Sequence, residues 1–317
     1  MPDLRTRLTD GWQRALGSLR LALVPIVLAL TNVDGMRSIF AFDGVHVGFR
    51  FGVPGAVVTV WQFVSVPQSG VNVDPGVPLE ALPVAVVTVP LLLVVQATLA
   101  AGYFGSIADE LVSGDSRFVG NVVAYFVPFL VLTVVPVALL LPPALGLFGL
   151  GASTGGGAAL GTLFVLGALG YLVVGYLFYP VPYLVVLRDT GIVAAARASY
   201  ALAVTGGAYL SYTVGIALFV LVVSPVVTVV VVNAPVVGVP IGVVAGGVLG
   251  LAVNTATMRF VADIDPASPA VGEWDGDDDE DEDEVTNGDT KPTGEAPRGR
   301  ASDPESLAGQ GSDDERA

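Results

Sequence analysis

Apolar residues along this chain gather in six long runs, and polar residues concentrate between them. Each run approaches or exceeds the 17–25 residues that a helix needs to cross a bilayer core. The five later runs contain no Asp, Glu, Lys or Arg, and they lack the strict alternation of a membrane barrel strand. The pattern therefore predicts an all-α integral membrane protein with about six transmembrane helices. The runs cover residues 16–33, 83–104, 119–141, 159–187, 208–232 and 236–258.

The first run differs from the others because it contains Arg20 and Pro25. It has two interpretations: a cleaved secretory signal with Leu21–Leu30 as its core, or a retained helix. The leader is roughly 20 residues long, and no small-x-small cleavage site follows Leu30. We therefore expect a retained helix, preceded by a short cytoplasmic segment over residues 1–15.

The segment between the first two runs, residues 34–82, is too long for a simple connector. Phe40–Phe51 alternates apolar with polar or small residues around Asp43-Gly44, a dipeptide that suits the tight turn of a hairpin. Val57–Ser65, around Trp61, has the composition of a third strand. We predict a small β-rich segment on the outer side of the membrane.

Composition divides the chain at residue 262. The chain is 53% hydrophobic and 14% charged, far from the roughly 25% charged residues of soluble domains. Residues 1–261 contain 10 Arg and 10 Asp/Glu, whereas residues 262–317 contain 19 Asp/Glu and four Lys/Arg, which gives the net charge of −15. The second part is too polar to fold, so we predict a disordered acidic cytoplasmic tail. One Lys against 13 Arg, together with the acidic excess, indicates a haloarchaeal source.

Arginine placement predicts the topology. With the N-terminus inside, eight arginines of the membrane domain, residues 16–261, and of its leader lie on the cytoplasmic side, and only Arg37 and Arg50 lie outside. This asymmetry follows the positive-inside rule. We expect a multipass protein of the cell membrane with both termini in the cytoplasm. The inner arginines are Arg5, Arg7, Arg14, Arg20, Arg117, Arg188, Arg197 and Arg259.

Four glycines recur every four residues along the last run: Gly238, Gly242, Gly246 and Gly250. Glycines at this spacing line one helix face and let a neighbouring backbone approach closely. Chance is the alternative, because the chain has 39 glycines. The strict register favours a helix-packing face, within the monomer rather than between subunits.

The two inner loops contain the most patterned polar residues. Asp109 and Glu110 lie in the first loop, and Asp189 and Ser199 lie in the second. Each loop resembles a short amphipathic helix closed by glycine, with apolar positions at Ile107 and Ile192 that suit a protein partner. Carboxylates gathered at this face are candidates for acid–base chemistry, and helix capping explains them equally well.

The second loop also shows a resemblance to a known group. Its pattern of proline, acid, glycine, alanine, serine, leucine and glycine resembles that of uncharacterised haloarchaeal multipass membrane proteins, and it is similar to the membrane domain fused to some glycerophosphodiester phosphodiesterases. The resemblance implies a membrane fold and no catalytic residue. The residues that match are Pro182, Asp189, Gly191, Ala195, Ser199, Leu202 and Gly206.

Composition also limits the function. Because the chain has no Cys and one His, we expect no thiolate chemistry, no histidine-rich metal site and no cofactor. The lipid bilayer is the expected partner, with no nucleic acid, and the oligomeric state stays open. The leading hypothesis is a non-enzymatic protein with a scaffold, assembly or envelope role. The alternatives are a transporter or permease subunit for a small solute and, third, a membrane enzyme.

Overall fold

The computed structural model of the chain describes residues 3–67, 82–154 and 157–271. In these residues every regular element is helical. The α-helices are α1 Leu4–Gly17, α2 Leu23–Leu30, α3 Val33–Phe40, α4 Leu82–Ser113, α5 Phe118–Thr154, α6 Gly157–Phe178, α7 Val181–Leu187, α8 Ile192–Thr205, α9 Ala208–Asn233 and α10 Pro235–Ile264. Two 3₁₀ turns lie at Leu19–Ala22 and Val60–Gln62.

Five stretches are long and apolar enough to cross a membrane, which confirms a multipass membrane protein. They correspond to the five later runs of the sequence. Two of them extend further than the runs, because α4 continues to Ser113 and α10 to Ile264. The five stretches are Val87–Ser113, Phe118–Leu139, Val165–Leu187, Ala208–Asn233 and Pro235–Ile264.

The first run does not form one straight span. Residues Leu4–Gly17 and Leu19–Leu30 form a pair bent by 96°. The helix begins well before the run, because the Asp3 side chain caps it by accepting from the Thr6 N–H at 2.8 Å. Residues 4–15 are therefore helical rather than a simple leader. They are amphipathic and lie against α10 with Arg7, Asp10, Gly11 and Ala15 buried.

The predicted β-rich segment is wrong for the residues that the structure describes. Helix α3 occupies the start of the predicted β-rich segment, residues 34–40, with Asn32 accepting from the Gly35 N–H at 3.0 Å as its cap. Residues 45–51 form no strand, and a 3₁₀ turn replaces the predicted third strand. Residues 68–81 lie outside the described residues.

Helix α10 is the centre of the bundle, with α1, α2 and α9 packed around it. Helices α4 and α5 form an antiparallel pair, and α7 joins them to α10. Because α10 is 30 residues long, or about 45 Å, its two ends lie in different surroundings. We call the end at Ile264 the charged end and the end at the α9–α10 turn, Asn233–Pro235, the neutral end.

The membrane body continues past residue 262, where composition divides the chain. Helix α10 continues to Ile264, and beyond it both Asp265 and Val271 are buried. These residues belong to the membrane body because they pack against it. The rest of the acidic segment, residues 272–317, lies outside the described residues.

Candidate functional site

Asp109 lies near the C-terminal end of α4, where it joins α4 to α5. Its carboxylate accepts from the Asn121 side-chain amide at 2.8 Å and from the Arg117 backbone N–H at 3.3 Å. The Arg117 guanidinium lies 3.6 Å away. The short surface helix expected in this loop is instead the last part of α4, which continues to Ser113. Ile107 and Ala108 in this part are buried in the core and do not lie at the membrane surface.

Asp189 lies in the turn between α7 and α8 in a strained backbone conformation. Its φ of +45° is the only positive value among the described residues other than glycine. The Thr190 N–H donates to the Val185 carbonyl at 3.1 Å, which is the closing bond of a turn that usually has glycine at the Asp189 position. Such strain persists only where surrounding contacts hold it, and it is common at functional sites.

Asp189 and Asp109 both lie within electrostatic range of the phenol of Tyr125 on α5, and Asp189 is the nearer of the two in its effect. The other two predicted residues lie elsewhere. Glu110 bonds with Arg20 at 2.9 Å, and the buried Ser199 hydroxyl donates to the Leu177 carbonyl at 2.6 Å. No group of three or more metal-ligating side chains occurs within the described part of the chain.

A buried ion cluster at the charged end was missed by sequence reasoning. Asp10 of α1 is 1% exposed at its side chain, and it bonds with both Arg14, at 3.0 Å, and Arg259 of α10. Arg7 pairs with Asp263 at 3.1 Å and lies over the Phe260 ring. The i,i+4 spacing of Asp10 and Arg14 could have predicted their ion pair from the sequence, but nothing in the sequence indicated that Asp10 also pairs with α10.

A second ion pair closes the charged end. Arg188 donates through Nε to Asp265 at 2.7 Å, and the Ser268 hydroxyl donates to the same carboxylate. Burial alone would raise the pKa of Asp265, but the bonds from Arg188 and Ser268 outweigh it and hold this pKa below its ordinary value. The pKa of Arg188 is raised, chiefly by its hydrogen bond to Asp265.

Buried tyrosines form a polar network in the core above these ion pairs. The hydroxyls of Tyr179 and Tyr212 lie 3.2 and 2.9 Å from that of Thr257. Tyr183 donates to the Asn254 side chain at 3.3 Å, and Asn254 donates to the Tyr103 hydroxyl at 3.2 Å. Hydrogen-bonded side chains of this kind hold membrane helices together, so the network joins α4, α7, α9, α10 and the turn between α6 and α7.

The four predicted glycines of α10 lie against backbone or branched side chains within the monomer. A Cβ at Gly246 would lie 2.6 Å from Val60 Cβ, and one at Gly242 would lie 2.5 Å from Val231 Cγ2. A Cβ at Gly250 would overlap the Val58 carbonyl oxygen, and one at Gly238 the Val230 carbonyl oxygen. Two of these neighbours, Val58 and Val60, lie outside the α-helices, in the stretch that contains the 3₁₀ turn Val60–Gln62.

That segment, residues 45–65, enters the bundle beside α9 and α10; we call it the inserted segment. Its backbone bonds with polar side chains of α9. The Arg50 N–H donates to Ser224 Oγ at 2.8 Å, and the Ser65 N–H donates to Thr228 Oγ1 at 2.9 Å. Asn233 accepts from the His46 N–H at 2.8 Å and donates to its carbonyl at 3.0 Å.

The inserted segment reaches well into the apolar part of the bundle. Ser224 lies nine residues before Asn233, the last residue of α9, which is about 13 Å along the helix axis. Val45, Val47, Phe49 and Phe51 are exposed, which is the alternation seen in the sequence. The predicted strand partner is therefore replaced by hydroxyl and amide side chains of α9. Backbone without helical bonds is tolerated at membrane depth only where protein or water satisfies it.

Comparison with known proteins adds no relative. No protein-family model, curated protein or solved structure matches the chain. The resemblance to haloarchaeal membrane proteins stays a prediction.

Proposed function

We propose that the protein is a non-enzymatic membrane scaffold whose charged end is a fixed surface for assembly. The observation that carries this proposal is that the carboxylates at that end bond with arginines of the protein itself. Asp10, Asp109, Glu110 and Asp265 each bond with an arginine. Most of these pairs join different elements of the fold, which is the behaviour of structural rather than reacting groups.

Acid–base chemistry makes different demands on a carboxylate. A general base needs a lone pair within hydrogen-bonding reach of its substrate. Asp109 accepts hydrogen bonds from the Asn121 side chain and the Arg117 N–H and forms an ion pair with the Arg117 guanidinium, and Asp265 accepts from Arg188 and Ser268. Donors already occupy these oxygens, and this supports a structural role.

Helix α8 supplies the surface that suits a protein partner. Its buried face consists of the small residues Ala195, Ser199 and Ala203. Its opposite face exposes Val193, Tyr200 and Val204, with Arg197 between them. Spacings of four, three and four residues place them on one helix face, a pattern suited to a partner helix. The partner face predicted at Ile107 is not available, because Ile107 is 2% exposed.

A transporter or permease subunit is the second candidate, and the inserted segment favours it. Transporters expose non-helical backbone at membrane depth to bind solutes and ions. In this protein the segment bonds with Ser224, Thr228 and Asn233 of α9. These bonds support packing more directly than transport.

The experiment tests the carboxylates in liposomes that contain the purified protein. Asp109→Asn and Asp189→Asn are compared with Asp115→Asn, a matched change at an exposed aspartate in the same loop as Asp109. We expect Asp109→Asn to lower stability by about 1–3 kcal/mol, since it weakens charged hydrogen bonds, with no change in hydrolase activity or solute flux.

One outcome of this experiment would reject the scaffold. It is hydrolysis or flux that is present in the wild-type protein, is lost in the Asp109 or Asp189 variant and persists in Asp115→Asn.

Photo-crosslinking tests α8 as the partner surface. A photo-crosslinker at Tyr200 should yield one discrete adduct in cells, and a crosslinker at Tyr171, exposed on α6, should yield none. Equal labelling at both positions would remove α8 as the partner surface.

A further inference from the structure

We propose that the protein binds the phosphate group of an anionic phospholipid in a pocket at the bend between α1 and α2. The pocket has a volume of about 210 Å³. Its polar side includes Arg14, Ser18 and Arg20, and its apolar side includes Leu21, Ile107 and Leu251. This inference goes beyond the scaffold function and does not depend on it, because a transporter could use the same lipid.

The pocket lies where apolar and polar parts of the bundle meet. On α4, the buried apolar surface ends at Ile107 and Ala108, and the ionised residues begin at Asp109. Both Ile107 and Glu110 line the pocket, so it spans this change. A phospholipid has the same arrangement, with a charged headgroup above its acyl chains. Basic pockets between membrane helices are known sites for anionic headgroups.

The two arginines retain donors for a ligand. Arg14 uses its Nε–H to bond with Asp10 at 3.0 and 3.2 Å. Arg20 uses one terminal nitrogen, Nη2, to bond with Glu110 at 2.9 Å. A guanidinium has five N–H donors, and its planar fork fits phosphate oxygens. The Arg20 side chain is 63% exposed, so it can reach a headgroup in the pocket.

The ionisable side chains that line the pocket are Arg14, Arg20 and Glu110. Asp10, which bonds with Arg14, is not part of the lining. Two positive charges and one negative charge therefore face the pocket, and an anionic phosphate group would complement them. A partly buried charge attracts an anion more strongly than a charge in water does.

Size and surroundings favour a headgroup over a free small molecule. A volume of 210 Å³ holds on the order of seven waters, and it is below the roughly 300 Å³ at which pockets for drug-sized ligands begin. Leu16, Leu19 and Leu23 are exposed on the same bend. Acyl chains would cover these leucines while the phosphate occupies the pocket.

Binding of a fluorescent short-chain phosphatidylglycerol to the full-length protein in detergent tests the proposal. We expect this lipid to bind at least about tenfold more tightly than phosphatidylcholine, because the latter has no net charge. The double variant Arg14→Gln/Arg20→Gln should weaken binding at least about tenfold. Arg197→Gln, a matched change at an exposed arginine of α8, should alter it less than about twofold.

A gain of affinity provides the control against misfolding. Glu110→Gln removes the carboxylate that competes for Arg20, so it should tighten phosphatidylglycerol binding by about threefold or more. Equal binding of both lipids, or an unchanged Arg14→Gln/Arg20→Gln variant with a wild-type melting temperature, would overturn the proposal. Inorganic phosphate that competes as well as the lipid would overturn the assignment to a phospholipid and identify free phosphate as the ligand.

Discussion

The charged end and the neutral end of the bundle are held together by different forces. At the charged end, helices meet through buried ion pairs, such as Asp10 with Arg259, and through the tyrosine network around Thr257. At the neutral end, the inserted segment is held by uncharged side chains of α9 and by close contact with the glycines of α10. One end depends on charge and the other on shape.

This difference shows how one long helix can serve two kinds of packing. The half of α10 before Leu251 presents glycines, so that the backbone at Val58 and at Val60, the first residue of a 3₁₀ turn, can approach it closely. The half after Leu251 presents Asn254, Thr257 and Arg259, which need partners when buried. Helix α1 supplies those partners to Arg259, because its polar face is turned toward α10.

The largest effect is expected from breaking the charge at the charged end. Asp10→Asn removes the carboxylate that bonds with Arg14 and with the fully buried Arg259. We expect a loss of about 3–5 kcal/mol in the free energy of unfolding, the usual cost of removing one partner of a buried pair. Unfolding of the purified protein by sodium dodecyl sulfate measures it.

Asp34→Asn is the matched control, since Asp34 is an exposed aspartate in the first turn of α3. It should change stability by less than about 0.5 kcal/mol. The double variant Asp10→Asn/Arg259→Gln should recover part of the loss, because both charges are then absent. A loss below about 1 kcal/mol for Asp10→Asn would show that the buried pair does not hold the charged end together.

The second effect concerns shape at the neutral end. Gly246→Leu adds a side chain where Val60 Cβ is 2.6 Å from the position of a Cβ. We expect a loss of about 1–3 kcal/mol or more from overpacking, together with displacement of the inserted segment. Val244→Leu, at a position that is 56% exposed on the same helix, should be nearly neutral. Equal stability of the two variants in detergent would contradict the difference between the two ends.

Sequence patterns predicted the elements that depend on local composition. The five later spans are confirmed because long uncharged runs have few structures other than a helix in lipid. The first run differs in shape from the prediction, because Asp3 starts a polar helix before it and the chain bends at Ser18 within it; the bent pair makes a sixth span only if it is counted as one. The hairpin was wrong because alternation reveals an extended backbone but not its partner, which is α9 rather than a second strand.

The candidate residues show the same limit. Sequence reasoning placed Asp109 and Asp189 at one face, and the structure brings them to the same tyrosine. It did not find Asp10, Arg259 or Asp265, whose partners are distant in the sequence. Arg188 and Asp265, for example, are 77 residues apart. Pairing over such distances follows from the packing of α7 and α1 on α10, which composition does not encode.

The smallest expected effect is a difference in how the stability of the two ends depends on pH. The pKa of Asp265 is lowered in the folded protein by Arg188 and Ser268, against the effect of burial. A carboxylate with a depressed pKa stabilises the fold above its unfolded value, near 3.9, and loses that contribution as the pH falls through the folded value. Stability should therefore decline as the pH falls from about 5 through the unfolded value and on through the lower folded value, and Asp265→Asn should reduce this decline by about 1 kcal/mol.

Thermal unfolding in detergent at pH 6, 5, 4 and 3 measures this effect, with Asp115→Asn as the exposed control. Other carboxylates also titrate in this range, so the informative quantity is the difference between the two variants at each pH. Asp265→Asn should be less stable than wild type at pH 6, and this difference should shrink at each lower pH, because protonation of the wild-type carboxyl progressively removes its bond with Arg188. The gap between Gly246→Leu and wild type should stay constant, since the neutral end contributes no titrating contact to Val60. A gap that closes at low pH for Gly246→Leu as well would show that the two ends unfold as one charge-dependent unit.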